Sequence, residues 1–258
     1  DLSAHYELVA NIDMEGIDFE PIGNESEGSF TGSLDGKGHK ISNLNLELPN
    51  NKFVGFIGCM EGGTVKNLNI ENVSASGYRY VGGLVGYVGE GSCVENCSVS
   101  GNVENEYVMG AIYTGGITGY SIGVIRTCIN YSSVYSDGKN DVDDSSPGTG
   151  GIVGYNGGSI FECTNAGKIQ NLGNGPCAGG IAGDNIKAVS GCVNRGEIYV
   201  VGYRDTTDAG GITGRTMEGS ICNSINFGNV AVAAYYERGG GITGKGRNIE
   251  NCINYGTI

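Results

Sequence analysis

An all-β fold, a right-handed parallel β-helix of about seven rungs behind an N-terminal cap, is predicted for this 258-residue chain by three observations. The first is composition. The chain has 49 glycines, 4 prolines and no tryptophan, with hydrophobic residues at 39% and charged residues at 17%. That balance fits short strands divided by tight turns. Collagen would need glycine at every third position with abundant proline, and a disordered chain would hold fewer apolar and β-branched residues. The second observation is a tetrad of the form Gly-apolar-x-Gly that recurs seven times, beginning at Gly55, Gly83, Gly116, Gly151, Gly180, Gly211 and Gly241. Its spacings of 28, 33, 35, 29, 31 and 30 residues mark a repeat architecture. The third is that no segment combines a 3.6-residue apolar period with capping residues, so nothing reads as a helix.

The N-terminal residues 1–50 differ from the repeats and are expected to form the cap. His5 to Asp13 alternates like a strand, and Phe30 to Ile41 reads as strand, turn, strand. Such an atypical first rung is what a solenoid needs over its open end. Residues 51–258 then form one continuous repeat domain. Each unit carries short runs of Val, Ile and Thr that cannot bury their own apolar face, whereas stacked units share a core. Rungs about 4.8 Å apart place equivalent residues directly above one another. The right-handed sense follows from the bias of parallel crossovers. Ile152, in the fourth tetrad, is expected to point into the core, and Tyr155 to point out.

A second block follows each tetrad and aligns Leu68, Cys97, Cys128, Cys163, Cys192, Ser224 and Cys252 in one column. Free cysteine is among the most buried residue types, so the column is expected to be a reduced, metal-free structural ladder. Side chains on one strand face point the same way, which suits disulfides badly; Cys93 and Cys97 would lie about 13 Å apart on an extended strand. The odd total of nine cysteines also argues against a complete disulfide framework. Two residues further on stand Asn130, Asn165, Asn194, Asn226 and Asn254, expected to form a stacked amide ladder. The glycine columns are expected to provide either positive φ or close approach between rungs.

The tetrad residues resemble a known family. Gly83-Leu84-Val85-Gly86 is the form that names the GLUG motif, and the other six tetrads are close variants. The segment Phe30 to Leu46, centred on Asp35-Gly36-Lys37-Gly38-His39-Lys40-Ile41, is similar to the lead-in before GLUG repeats in bacterial surface proteins. The resemblance runs from about Tyr6 to Ile258. It implies a secreted or surface-anchored β-helix like the non-catalytic repeat regions of immunoglobulin A1-specific metallopeptidase-like proteins and adhesins. An extracellular or cell-surface location and a role as adhesive surface or rigid spacer follow from it. It does not imply proteolysis, because the family's repeat region is separate from its zinc domain.

The residues themselves also point away from catalysis. A zinc peptidase needs two histidines one helical turn apart with a glutamate between them, and this chain has only His5 and His39, 34 residues apart. The runner-up is a carbohydrate-active β-helix, a polysaccharide lyase or hydrolase. A hydrolase needs two carboxylates about 5–9.5 Å apart, and no Asp or Glu recurs at an aligned outward position. A lyase would want a basic residue near a calcium-bound uronate, and basic residues are sparse. Asp137, Asp141, Asp143 and Asp144 could ligate calcium through oxygen, although the helix–loop–helix setting is missing and a solvated acidic loop is the plainer reading. No cofactor is expected otherwise.

Tyr87, Tyr120 and Tyr155 each follow a tetrad directly and should stack on adjacent rungs. They either pack on one another or form an amphipathic strip for a host glycan or protein. Lys and Arg number 15 against 28 Asp and Glu, a net charge of −13, which argues against nucleic acid and anionic membrane as partners. No apolar run approaches the roughly 20 residues of a membrane span. The chain starts at Asp1, as a processed or trimmed product would, and its last unit stops on a strand at Ile258. That final rung is expected to expose an open edge suited to self-association or to a following domain.

Overall fold

The computed structural model describes residues 1–24, 26–101, 107–110, 112–138 and 148–258. Within them every regular element is a strand, and the strand ladders are parallel. One turn runs through Thr64–Lys66, Asn69–Glu71, Ser74–Gly77, Tyr80–Gly82 and Val85–Val88. The first strand belongs to sheet 1, the second to sheet 2, the third and fourth to sheet 3 and the fifth to sheet 4. Sheets 1 and 2 each hold nine strands and sheet 4 seven. Sheet 3 has twelve strands on its main path and pairing edge, because in later turns its two strands fuse into Ile198–Gly210 and Val230–Gly240.

The stack is a β-solenoid of about eight turns. The seven tetrads count only the turns that reach sheet 4. Residues 1–50 already hold strands of the stack: Ser33–Asp35, Lys40–Ser42 and Asn45–Leu48 pair in register with Thr64–Lys66, Asn69–Glu71 and Ser74–Gly77. His5–Glu7 and Ile12–Asp13 sit one layer before them, and Ile22 and Phe30 bridge to Ile57 and Met60. The departure from the regular repeat is therefore concentrated before residue 33.

Alternation sets inside from outside. The inner column of sheet 1, Val65, Val94, Ile125, Ile160, Val189 and Ile221, is fully buried. So are Leu84, Ile117, Ile152, Ile181 and Ile212, the apolar residues of successive tetrads. Ile152 thus points into the core, while Tyr155 is half-buried on the outside. A second apolar cluster around Val134, Ile169, Ile198 and Val200 lies under sheet 3.

Two corners explain the conserved spacing within each turn. Between sheets 1 and 2 one residue takes the left-handed conformation: Asn67, Asn96, Thr127, Glu162, Gly191, Asn223 and Asn251 have φ between 51° and 67°. Asparagine and glycine adopt that conformation readily, threonine and glutamate with strain. The cysteine column comes directly after it. The Sγ–H groups of Cys97, Cys128, Cys163, Cys192 and Cys252 donate to the carbonyl two residues back at 3.2–3.4 Å. Ser224 Oγ makes the same bond at 2.9 Å, so six of the seven residues in the column are small side chains carrying a donor, while buried Leu68 fills its place by apolar volume.

Between sheets 2 and 3 the asparagines hold the corner. Asn165 Nδ2 donates to Gly167 O at 2.9 Å and to Asn194 Oδ1 at 2.8 Å, and its Oδ1 accepts from Gly167 N and from Asn130 Nδ2. The same network repeats at Asn194 and Asn226 and ends on Asn254. The first glycine of the tetrad lies against this ladder from the opposite wall. A Cβ on Gly116, Gly151, Gly180, Gly211 or Gly241 would collide with the amide of Asn130, Asn165, Asn194, Asn226 or Asn254. None of the tetrad glycines has positive φ, so of the two roles expected for them close approach is the one observed.

Candidate functional site

The last glycine of each tetrad shapes the outer surface. A Cβ on Gly119, Gly154, Gly183, Gly214 or Gly244 would strike the backbone nitrogen of Val81, Thr114, Thr149, Ala178 or Ala209 in the second strands of sheet 3. Sheet 4 therefore lies directly against those strands, and the outward residues of both converge on one longitudinal seam. The sheet 4 column runs Cys59, Tyr87, Tyr120, Tyr155, Asp184, Arg215, Lys245. The facing column runs Phe53, Tyr80, Tyr113, Gly148, Cys177, Asp208, Arg238.

The first half of the seam is aromatic. Tyr87 and Tyr120 stack with centroids 5.3 Å apart and planes 10° from parallel, and Tyr120 and Tyr155 at 4.5 Å and 7°. Phe53, Tyr80 and Tyr113 form a second stack at 5.4 and 6.1 Å. The columns meet across the seam, Tyr80 with Tyr120 and Tyr113 with Tyr155, each at 5.2 Å. Burial holds the phenols protonated: it raises Tyr87, Tyr113 and Tyr120, and pushes Tyr155 up to about 12. The faces of these rings are occupied by one another.

The second half is ionic. Arg215 grips the nearly buried Asp184 through Nη2 at 2.6 Å and Nε at 3.3 Å. Arg238 holds the buried Asp208 through Nη2 at 2.9 Å and through Nε. Cys177 lies buried beside them with Sγ 4.0 Å from Asp208 Oδ2, its thiol raised chiefly by burial. These carboxylates escape a search for recurring acidic columns because they occupy different columns, one turn each. The second aromatic column was legible: Tyr80 and Tyr113 both stand three residues before a tetrad.

Of the remaining predicted residues, Cys97, Cys128, Cys163 and Cys192 are buried and Cys252 half-buried, all nine cysteines being free thiols. Burial raises the Cys163 thiol well above its usual range. Asp141, Asp143 and Asp144 lie outside the described residues, while Asp137 is placed on the strand Ser133–Gly138. His5 Nδ1 lies 2.8 Å from Ser33 Oγ, and His39 Nδ1 lies 3.3 Å from Asn11 Oδ1. No group of three or more His, Cys, Asp or Glu side chains suited to a metal occurs among the described residues.

In-register parallel turns, an inner amide ladder and a self-filled outer seam define a β-solenoid repeat protein. The GLUG motif matches at residues 77–104 and 145–170, around two of the seven tetrads, so the chain carries GLUG repeats. Halomucin of Haloquadratum walsbyi is 37% identical over 117 residues, which is 42% of this chain and 1% of halomucin. A crystal structure of a candidate immunoglobulin A1 protease from Bacteroides ovatus superposes with a TM-score of 0.69 over 97% of this chain and 78% of that one, at 21% identity. That likeness is one of fold.

Proposed function

We propose that this chain is a non-catalytic, extracellular surface module that acts as a binding face or rigid spacer within a larger protein. The observation that carries the reading is the seam. The outward side chains of two sheets converge there and fill it with one another. Rings cover rings, and both acidic groups in it are held by arginines. A glycosidase needs one carboxyl free to carry a proton to the leaving oxygen, and here the oxygens of both carboxylates are occupied by guanidinium hydrogen bonds. The extracellular location is supported by the likeness to halomucin and by the family resemblance. Immunoglobulin A and polysaccharides incubated with the chain should be recovered intact. Cleavage that persists after contaminating enzymes are removed, with or without zinc, would refute the reading.

A further inference from the structure

We propose that the outer surface of sheet 2 and the first strands of sheet 3, around Tyr131 and Tyr199, is a binding face for a neutral polysaccharide. The proposal rests on the module reading and gives it a ligand class. It starts from a contrast between two sets of tyrosines. Where outward aromatics follow one another turn by turn, as at Tyr87, Tyr120 and Tyr155, each ring hides the face of the next. Tyr199 instead pairs with Ala231 on the following turn, and Ala166, whose N–H bonds to Asn130 O, takes the place beside Tyr131. A methyl group leaves an aromatic face open. Tyr131 is 51% and Tyr199 41% exposed, and among the described residues neither stacks on another ring.

Between the two rings lie Lys168, Gln170 and Glu197, on the outward side of the same turns. The combination is that of a sugar-binding surface. A pyranose presents an apolar C–H face that packs on an aromatic ring and a rim of hydroxyls that both donate and accept. The patch carries Lys168 and Glu197, and Arg195 beside them on the same surface is held over the Phe227 ring at 4.7 Å, on a chain whose net charge is −13. A polyanion finds no basic cluster here. A protein partner large enough to bind stably would have to strip water from Lys168 and Glu197, whereas a glycan chain can bond to both and leave them wet.

The test is retardation of the chain in native gels containing barley β-glucan, galactomannan or xylan, with alginate and immunoglobulin A as comparison probes. At least one neutral polysaccharide should retard it, and retardation should persist in high salt. Tyr131→Ser with Tyr199→Ser should weaken the association at least about tenfold. Ala231→Tyr should do the same without removing anything, by covering the ring of Tyr199. Tyr87→Ser, in the self-stacked seam, should leave retardation unchanged. No retardation by any neutral polysaccharide, binding of alginate or immunoglobulin A alone, or retardation indifferent to Ala231→Tyr would overturn the proposal while leaving the module reading intact. New reducing ends in the retained polysaccharide would overturn both.

Discussion

Asn194 uses its amide fully: Nδ2 donates to Gly196 O and Asn226 Oδ1, and Oδ1 accepts from Gly196 N and Asn165 Nδ2. Its removal takes one of the two hydrogen bonds from buried Asn165 Nδ2 and from Asn226 Oδ1 on the neighbouring turns, besides its own two to Gly196, each worth about 0.5–1.5 kcal/mol. Asn194→Leu should therefore lower stability by about 2–5 kcal/mol in denaturant unfolding, and a loss within 0.5 kcal/mol would show that the ladder is not a stabilising device. The left-handed corner allows a test of opposite sign. Glu162 has φ 53° where four other turns place asparagine. Glu162→Asn should raise stability by about 0.5–1 kcal/mol, read from the same unfolding midpoint. The phenols provide a third test at this scale. A group whose pKa is raised on folding adds stability that is complete below its ordinary value and is lost as pH rises through the folded one. For Tyr155 that window runs from 10.0 to about 12. Absorbance titration should show the seam phenols ionising only at the alkaline end.

Each repeat stands or falls on which way its strands face. Ile152 is fully buried and Tyr155 half-buried on the outer column, so Ile152→Asp should cost several kcal/mol and Tyr155→Ser about 1 kcal/mol or less. Equal denaturation midpoints for the two variants would contradict the assignment. Much at this scale was legible in the sequence, because a residue repeated at the same offset in stacked turns must sit in one column. The cysteine, asparagine and tyrosine columns are of that kind. The strands Ser33–Asp35 to Asn45–Leu48 were harder, since no tetrad of the regular spacing precedes them and their pairing is visible only through register. The Asp184–Arg215 and Asp208–Arg238 pairs stand at the same offsets from their tetrads as the two tyrosine series, but no single residue type repeats there to mark them. Each pair joins residues about 30 apart on neighbouring turns of one column, on sheet 4 for Asp184 and Arg215 and on sheet 3 for Asp208 and Arg238.

Taken as one molecule, the solenoid stacks an amide ladder inside and fills an outer seam with its own rings and ion pairs. Six of the nine cysteines are buried and three half-buried. Thiol titration of the native chain should therefore find no more than about three reactive groups, the rest appearing on unfolding; rapid reaction of most of them would mean the column is open. The central claim is that the chain is a module that does not cut. It is tested most directly by incubating the chain with immunoglobulin A and with neutral polysaccharides, then analysing each product by mass spectrometry. Recovery of every substrate at its original mass is the predicted result. Fragments whose appearance is abolished by Asp184→Asn or Asp208→Asn would show that the seam is a catalytic site and contradict the account.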